Sequence, residues 1–158
     1  MIVLCYDGSP TAKHAIASAH ALVGQAPALV LHVWQPPDAY FGPEPFGGVE
    51  MWSGAQVAEL EAVATERANR TVEYGVELAR GRGFTVEGRL ERSAGSVWRT
   101  ILDAADEVDA QLVVAGARGL SPVQSLLLGS VSTALVHHST RPILIVPAAP
   151  EQAKEREG

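Results

Sequence analysis

The sequence predicts an α/β fold in which helices cover both faces of an open sheet of five parallel strands. Apolar runs alternate with helical patterns along the whole chain, and such alternation is typical of parallel strands joined by right-handed crossovers. Most of the runs are continuously apolar, as expected for strands that are buried on both faces. The length of 158 residues suits one domain, since domains commonly hold about 100–150 residues.

The predicted elements begin with a strand over residues 1–6 and a helix over residues 11–23. The alanine-rich sequence favours this helix, because alanine has the highest helix propensity. Ser9 can cap its first turn, and Pro10 suits the first helical position, where no backbone N–H is needed. Gly24 follows as a stop signal, since helices commonly end at a glycine.

The second strand is predicted over residues 28–34, which are almost wholly apolar. Residues 35–53 contain four prolines and three glycines, so we expect an irregular loop there. This loop could fold over a ligand or pack against a second subunit, and the sequence does not decide between the two. A long helix is predicted over residues 54–80, and the third strand, residues 84–90, alternates apolar and polar residues.

The remaining elements complete the predicted sheet. A third helix begins within residues 93–96 and ends near residue 108, and the fourth strand covers residues 111–115. A fourth helix over residues 130–139 leads to the fifth strand, residues 143–146.

Strand character predicts the order of the sheet. An alternating strand suits an edge, which places the third strand there. The fifth strand, Ile-Leu-Ile-Val, is too apolar for an exposed edge, which would pair with another chain, so we expect a second subunit to cover it. Two strand orders suit a doubly wound sheet of this size. We expect a flavodoxin-like or Rossmann-like single domain with the order 3-2-1-4-5.

Charge and cysteine content argue against several classes of protein. The net charge of -6 disfavours a nucleic-acid partner, because phosphate backbones need clustered lysine and arginine. Residues 110–150 contain Arg118 and Arg141 but no acidic residue, so an anionic ligand would meet little repulsion there. The single cysteine, Cys5, excludes an internal disulfide and is expected to act as a small buried hydrophobe.

No apolar run reaches the roughly eighteen residues of a membrane span, so no membrane partner is expected. The first residues lack the pattern of a signal peptide, and we expect a cytoplasmic location. The adjacent histidines His137 and His138 point to different helix faces, so no metal site is predicted from them.

A candidate ligand site follows the fourth strand. Ligands of open α/β sheets bind at the carboxyl ends of the strands, near the point where strand order reverses. Gly116 and Gly119 let the backbone turn tightly and approach a ligand, while Gly129 and Ser130 open the fourth helix, whose N-terminus favours an anion. This predicts a phosphate site to which the Ser130 and Ser132 hydroxyls donate. The alternative is a glycine-rich connection that only caps a helix.

These glycines also resemble a family signature. From Gly116 to Ser130 the chain matches G-2x-G-9x-G-[ST], the nucleotide-binding signature of the ATP-binding branch of the universal stress protein family. The opening IVLCYDGSPTAKHAIASA resembles the first strand, aspartate turn and first helix of that family, and LLLGSVSTALVHHSTRPILIVP resembles its end. The resemblance covers about residues 1–147 as one domain and leaves residues 148–158 as a charged tail.

The resemblance implies a role for individual residues. Asp7 matches the aspartate that contacts the nucleoside, although on its own it also suits an Asx-type turn with Gly8 and Ser9. Val33 matches a backbone contact to adenine, and Cys5 departs from relatives that have proline near the base. The residues that match the phosphate loop or lie beside it are Gly116, Arg118, Gly119, Gly129, Ser130, Val131 and Ser132.

The function that the resemblance implies is a homodimeric ATP-binding regulatory or stress-response protein that dimerises through residues 143–146. Mg²⁺ could accompany ATP, and AMP or cyclic AMP are alternative ligands. A slow or partner-dependent ATPase or phosphotransferase is a second hypothesis, but the glycine cradle has no lysine and one arginine, which argues against fast phosphoryl transfer. A third hypothesis is an interaction module without nucleotide.

Overall fold

The sheet has the predicted class and strand order. The structure, a computed structural model, describes residues 1–36, 54–93, 95–120 and 128–149. Within them one parallel sheet has the order β3-β2-β1-β4-β5. Its strands are β1 (Ile2–Cys5), β2 (Pro27–Trp34), β3 (Thr85–Arg92), β4 (Leu112–Gly116) and β5 (Ile143–Val146). The helices between them are α1 (Pro10–Val23), α2 (Gly54–Gly81), α3 (Val97–Glu107) and α4 (Ser130–His138).

The ends of α1 confirm the predicted caps. The Ser9 hydroxyl accepts a hydrogen bond of 3.1 Å from the Ala12 N–H, and Pro10 occupies the first helical position. Gly24 ends the helix with a φ of 65°, a left-handed conformation that glycine adopts without steric cost. Its N–H donates to the His20 carbonyl at 2.9 Å.

Helices cover both faces of the sheet, and each face has its own apolar core. On one face, α1 and α2 bury Ile16 and Ala79 against Leu4 and Val30. On the other face, α3 and α4 bury Ile101 and Leu135 against strand residues that include Val3, Leu29 and Val113. Because β1, β2 and β4 are sandwiched between the two layers, their side chains are apolar on both faces, as the continuous runs indicated. None of the helices within the described ranges is long and apolar enough to cross a membrane.

Close approach of α2 to the sheet depends on a glycine. A Cβ atom at Gly75 would lie 2.7 Å from Cδ1 of Tyr6 and 2.9 Å from Cγ1 of Val30. Both distances are shorter than a van der Waals contact. Gly75 therefore lets the helix backbone rest on the ring of Tyr6, which stacks on Tyr74 with ring centroids 6.3 Å apart.

The two edges of the sheet differ in character. At one edge, every residue of β3 is exposed or half-buried, as expected for an edge strand. At the other edge, β5 pairs with β4, and its residues Ile143, Leu144 and Ile145 are half-buried in the single chain. The expected cover of this apolar edge by a second subunit stays a prediction.

Arg141 is used differently from what the charge pattern suggested. Its Nη1 donates to the carbonyls of Ala105 at 2.9 Å and Ala110 at 2.6 Å, and its Nη2 contacts the carboxylate of Asp106. These contacts lie at the end of α3 and before β4, which is the amino edge of the sheet. Of the two cations in the segment that lacks acidic residues, only Arg118 is therefore on the carboxyl edge, where ligands of such folds bind.

Candidate functional site

A cavity of about 340 Å³ opens where the carboxyl ends of β1, β2 and β4 meet, which is the point where strand order reverses. Its volume is within the range of small-molecule sites. All of the binding residues predicted from the sequence line it, namely Asp7, Val33, Gly116, Arg118, Gly119, Gly129, Ser130, Val131 and Ser132.

The N-terminus of α4 forms one wall of the cavity. Gly129 is the N-cap residue, its N–H donates to the Ala117 carbonyl at 2.7 Å, and no side chain caps the helix. The N–H groups of the first helical turn, at Ser130, Val131 and Ser132, have no acceptor within the helix. They and the helix dipole favour a negative charge in the cavity, and Arg118 lines the same cavity.

Gly116 and Gly119 lie where a side chain would meet close neighbours within the protein. Neither is among the glycines with positive φ, so the backbone conformation at these positions does not itself demand glycine. A Cβ atom at Gly116 would lie 2.9 Å from Cγ2 of Thr11, and one at Gly119 would lie 2.6 Å from Oδ2 of Asp7. The glycines thus bring the loop after β4 against the start of α1 and against Asp7.

The two serines of α4 differ in how their hydroxyls are used. Ser132 is buried, and its hydroxyl donates to the Gly116 carbonyl at 2.8 Å. The Ser132 hydroxyl, which the sequence predicted to donate to a phosphate, therefore donates to β4 instead. The Ser132 N–H stays available to a ligand. Ser130 occupies the first helical position and is exposed, so its hydroxyl is the accessible one.

The Asp7 carboxylate makes the Asx-type turn with one oxygen and leaves the other facing the cavity. Its Oδ1 accepts a hydrogen bond of 2.9 Å from the Ser9 N–H, which is the Asx-type turn. Gly8 within this turn has a φ of 84°, a conformation that favours glycine. Oδ2 faces Gly119 and the cavity. One carboxylate oxygen therefore builds the turn, and the other is directed toward the site.

The inner part of the cavity is an apolar slot on the α3 side of the sheet. Strand alternation places Cys5, Leu31, Val33 and Ala115 on this face, because successive side chains of a strand point to opposite faces. Val97 and Ile101 of α3 close the slot. These α3 residues were not predicted from the sequence, although α3 follows the carboxyl end of β3 and has a strongly apolar face.

The backbone of Val33 presents a donor and an acceptor beside this slot. The Tyr6 N–H donates to the Leu31 carbonyl at 2.9 Å, so the polar backbone groups of Leu31 face β1. Val33 lies two residues further along β2, so its backbone N–H and carbonyl also face the β1 side. The pairing of β1 with β2 ends at Cys5 and Leu31, so the N–H and carbonyl of Val33 lie beyond the last pair of the ladder.

Burial shifts the pKa values of Cys5 and His32, two groups that border the cavity. Cys5 is half-buried and lines the cavity. Burial, with a smaller contribution from the charge of Asp7, raises the pKa of its thiol to about 12, so it is not a reactive thiolate. Burial also lowers the pKa of His32. Its Nδ1 lies 2.8 Å from the Tyr6 carbonyl, so Nδ1 carries the hydrogen and Nε2 has the lone pair.

Other sequence predictions concern residues outside this site. Most of the loop predicted at 35–53 and most of the tail at 148–158 lie outside the described residues. His138 stacks on Trp98 with ring centroids 4.3 Å apart. Within the part of the chain that the structure describes, no cluster of three His, Cys, Asp or Glu side chains could hold a metal ion.

Comparison with protein families and curated proteins gives consistent matches. The model of the universal stress protein family matches residues 1–147. The universal stress protein in the QAH/OAS sulfhydrylase 3′ region of Thermus aquaticus is 37% identical over 92% of this chain and 96% of its own length. Universal stress protein Sll1388 of Synechocystis is 32% identical over 92% of this chain and 96% of its own length.

Comparison with solved structures shows the same fold. The hypothetical protein MJ0577 superposes with a TM-score of 0.73 at 23% identity, over 94% of this chain and 95% of its own. Three further structures contain nucleotides. One is a universal stress protein in complex with cAMP. Its TM-score is 0.61 at 24% identity, over 94% of this chain and 96% of its own. Another is the universal stress protein from Archaeoglobus fulgidus with dAMP. Its TM-score is 0.60 at 22% identity, over 92% of this chain and 95% of its own. The third is a universal stress protein family protein from Arabidopsis thaliana with AMP. Its TM-score is 0.64 at 15% identity, over 96% of this chain and 93% of its own.

Proposed function

Because the chain belongs to the universal stress protein family, we propose that it binds an adenine nucleotide, with ATP as the physiological ligand, and acts as a homodimeric regulatory protein. The observation that carries this proposal is the convergence of every predicted binding residue on one cavity at the carboxyl edge of the sheet. Members of the same fold that were solved with AMP, dAMP or cAMP support the choice of an adenine ligand.

The two ends of the cavity suit the two ends of a nucleotide. The apolar slot formed by Cys5, Leu31, Val33, Val97, Ile101 and Ala115 accommodates a flat base, and the Val33 backbone offers a donor and an acceptor to its edge. The α4 N-terminus, with Arg118, receives the phosphates. Asp7 lies between β1 and Gly119, where its Oδ2 can accept a hydrogen bond from a ribose hydroxyl.

The charged groups of the cavity favour a ligand role for the nucleotide over turnover. Among the described residues that line the cavity, Asp7 is the one carboxylate and Arg118 the one arginine, with no lysine. Since Oδ1 of Asp7 already accepts from Ser9, Oδ2 is the oxygen left to act on a ligand. Phosphoryl transfer depends on strong charge stabilisation of the transferred group, so we expect hydrolysis to be slow at most and Mg²⁺ to arrive with ATP rather than at a protein site.

Isothermal titration of the unaltered chain with ATP in the presence of Mg²⁺, and with AMP, tests the proposal. We expect saturable binding of at least one of these ligands. No heat with millimolar nucleotide and micromolar protein would refute it.

Gly129→Ala is a sharper probe of the phosphate end. A Cβ atom there makes ordinary contacts of 3.5 Å with the Ala117 carbonyl and 3.6 Å with Cα of Arg118, so the fold should tolerate it. The methyl group would nevertheless occupy space beside the helix N-terminus, and we expect a loss of ATP affinity of at least about tenfold. Gly81→Ala is the matched control, because nothing lies within 4 Å of its Cβ position and it ends α2 at the opposite edge.

Two substitutions separate the turn from the ligand contact at Asp7. Asn forms Asx turns as Asp does, so Asp7→Asn should preserve thermal stability and reduce affinity. Asp7→Ala should reduce both. Equal ATP affinity in Asp7→Asn and the unaltered chain would contradict the assignment of Asp7 to the ligand.

The homodimer is proposed through β5. The N–H groups of Val113 and Ala117 donate to the carbonyls of Pro142 and Val146. The backbone N–H and carbonyl groups of the even-numbered β5 residues therefore face β4, and those of Ile143 and Ile145 face outward. Ile145→Pro therefore removes an outward N–H and should leave the ladder within the chain intact. Light scattering should show a dimer for the unaltered chain and a monomer for this variant. An unaltered chain that is monomeric at micromolar concentration would refute the interface.

A further inference from the structure

Gln35 is the polar side chain beside the apolar slot. It lies one residue beyond β2 and lines the cavity together with Val33, Val97 and Ile101. Alternation along the chain places it on the same face as Leu31 and Val33. A base held in the slot would therefore present an edge to this side chain.

One contact determines which amide atom of Gln35 is available to a ligand. Its Nε2 donates to the Gly95 carbonyl at 3.4 Å, in the turn that precedes α3. The opposite orientation would place two oxygen atoms against each other, so the nitrogen is the atom that faces Gly95. The same turn is held to the end of β2 by a 2.9 Å bond from the Ser93 N–H to the Trp34 carbonyl. The Gln35 Oε1, an acceptor with two lone pairs, is thus left for a ligand.

We propose that Gln35 is a specificity-determining residue that selects 6-aminopurines over 6-oxopurines, because its anchored amide offers an acceptor to the base. An exocyclic amino group has two hydrogens, of which the Val33 carbonyl can accept one and Oε1 the other. A 6-oxo group is itself an acceptor and would face Oε1 without a hydrogen between them. An unpaired polar group of this kind is costly at a ligand site. This inference rests on the proposed binding of adenine nucleotides.

Titration with AMP and IMP tests the inference. Both are ribonucleoside monophosphates with the same ribose and phosphate, and their bases differ at position 6 and the adjacent N1. Gln35→Met keeps the length of the side chain and removes the acceptor. We expect it to weaken AMP binding about 3- to 10-fold, as for the loss of one neutral hydrogen bond. IMP affinity should stay the same or increase, because the acceptor that opposes the 6-oxo group is removed.

Two further variants separate the acceptor from the anchor. Gln35→Glu retains an acceptor but cannot donate to Gly95, so its ratio of AMP to IMP affinity should stay close to that of the unaltered chain. Gln25→Met is the matched control, because Gln25 is exposed before β2, at the opposite edge of the sheet.

The outcomes distinguish this inference from the proposal beneath it. A smaller preference for AMP over IMP in Gln35→Met, and not in Gln25→Met, would support base selection. Equal weakening of AMP and IMP in Gln35→Met would mean that Gln35 only positions the turn before α3, and would overturn the inference. An unchanged ratio would overturn it as well while nucleotide binding stands. If the unaltered chain bound none of AMP, IMP and ATP, both the base selection by Gln35 and the proposed binding of adenine nucleotides would be refuted.

Discussion

Replacing Arg141 by methionine should destabilise the protein by about 2–4 kcal/mol, although Arg141 lies far from the cavity. The side chain is 15% exposed, and its guanidinium donates to the carbonyls of Ala105 and Ala110. The Ala105 carbonyl still accepts a hydrogen bond of 2.9 Å from the Ala110 N–H, so losing the bond from Arg141 costs little there. The Ala110 carbonyl loses a bond to a charged donor, which contributes about 1.5–3 kcal/mol. Lost packing of the side-chain stem accounts for the rest.

The ion pair with Asp106 contributes little to this figure. The Asp106 side chain is 66% exposed, and exposed pairs contribute less than about 1 kcal/mol. Asp106→Asn should therefore cost less than about 1 kcal/mol. Arg141→Lys, which has one compact charge instead of a fork, should be intermediate in stability between Asp106→Asn and Arg141→Met. Urea denaturation followed by circular dichroism measures all three. In thermal unfolding, Arg141→Met should lower Tm by about 5–12 °C for a domain of this size.

The argument for Arg141 would be refuted by either of two results. One is a loss below about 0.5 kcal/mol for Arg141→Met, which is within the usual effect of a surface substitution. The other is a loss for Asp106→Asn as large as that for Arg141→Met, which would assign the stabilisation to the ion pair instead of the carbonyls.

Three further predictions concern packing and protonation. Gly75→Ala should lower the free energy of unfolding by about 1–3 kcal/mol because its Cβ would overlap the Tyr6 ring, whereas Gly81→Ala should not destabilise; urea denaturation compares them. Since burial lowers the pKa of His32 from 6.5, the unfolded chain binds more protons below pH 6.5, and stability should be full above pH 6.5 and fall as the pH drops. His32→Asn should reduce that slope, which for one proton is at most about 1.4 kcal/mol per pH unit; an equal slope in both proteins would exclude His32 as its source. With a pKa of about 12, the Cys5 thiol should react slowly with iodoacetamide at about pH 8 until urea unfolds the chain; rapid labelling of the folded protein, read by mass spectrometry, would contradict the raised pKa.

Most of the fold could be predicted because each strand and helix is encoded locally. The caps at Ser9 and Gly24 and the alternation of β3 are properties of short segments, and they predicted α1 and the edge of the sheet. The contacts of Arg141 with the carbonyls of Ala105 in α3 and Ala110 before β4 could not be predicted, because they join residues 36 and 31 positions apart. The charge pattern placed Arg118 and Arg141 together in one segment without acidic residues, and only the arrangement of the elements shows that Arg141 lies at the other edge of the sheet.

The candidate site shows a similar division. The glycine spacing predicted which residues of the β4–α4 connection come together, but not why Gly116 and Gly119 are glycines, since their neighbours Thr11 and Asp7 are more than a hundred residues away in sequence. The contribution of α3 was missed for the same reason. Its apolar face marks a buried helix, and only the position of β3 at the sheet edge directs Val97 toward the cavity.

Asp7 shows why two interpretations of one residue need not exclude each other. A carboxylate has two oxygens, and the turn requires an acceptor for a single N–H, that of Ser9. Once Oδ1 makes that bond, the side chain is held in one orientation, and Oδ2 is directed at Gly119 without further loss of side-chain entropy. A ligand hydroxyl that reaches Oδ2 thus meets an acceptor that is already ordered. The local turn is therefore a means of preorganising the binding group, and the sequence motif that predicts the one also supports the other.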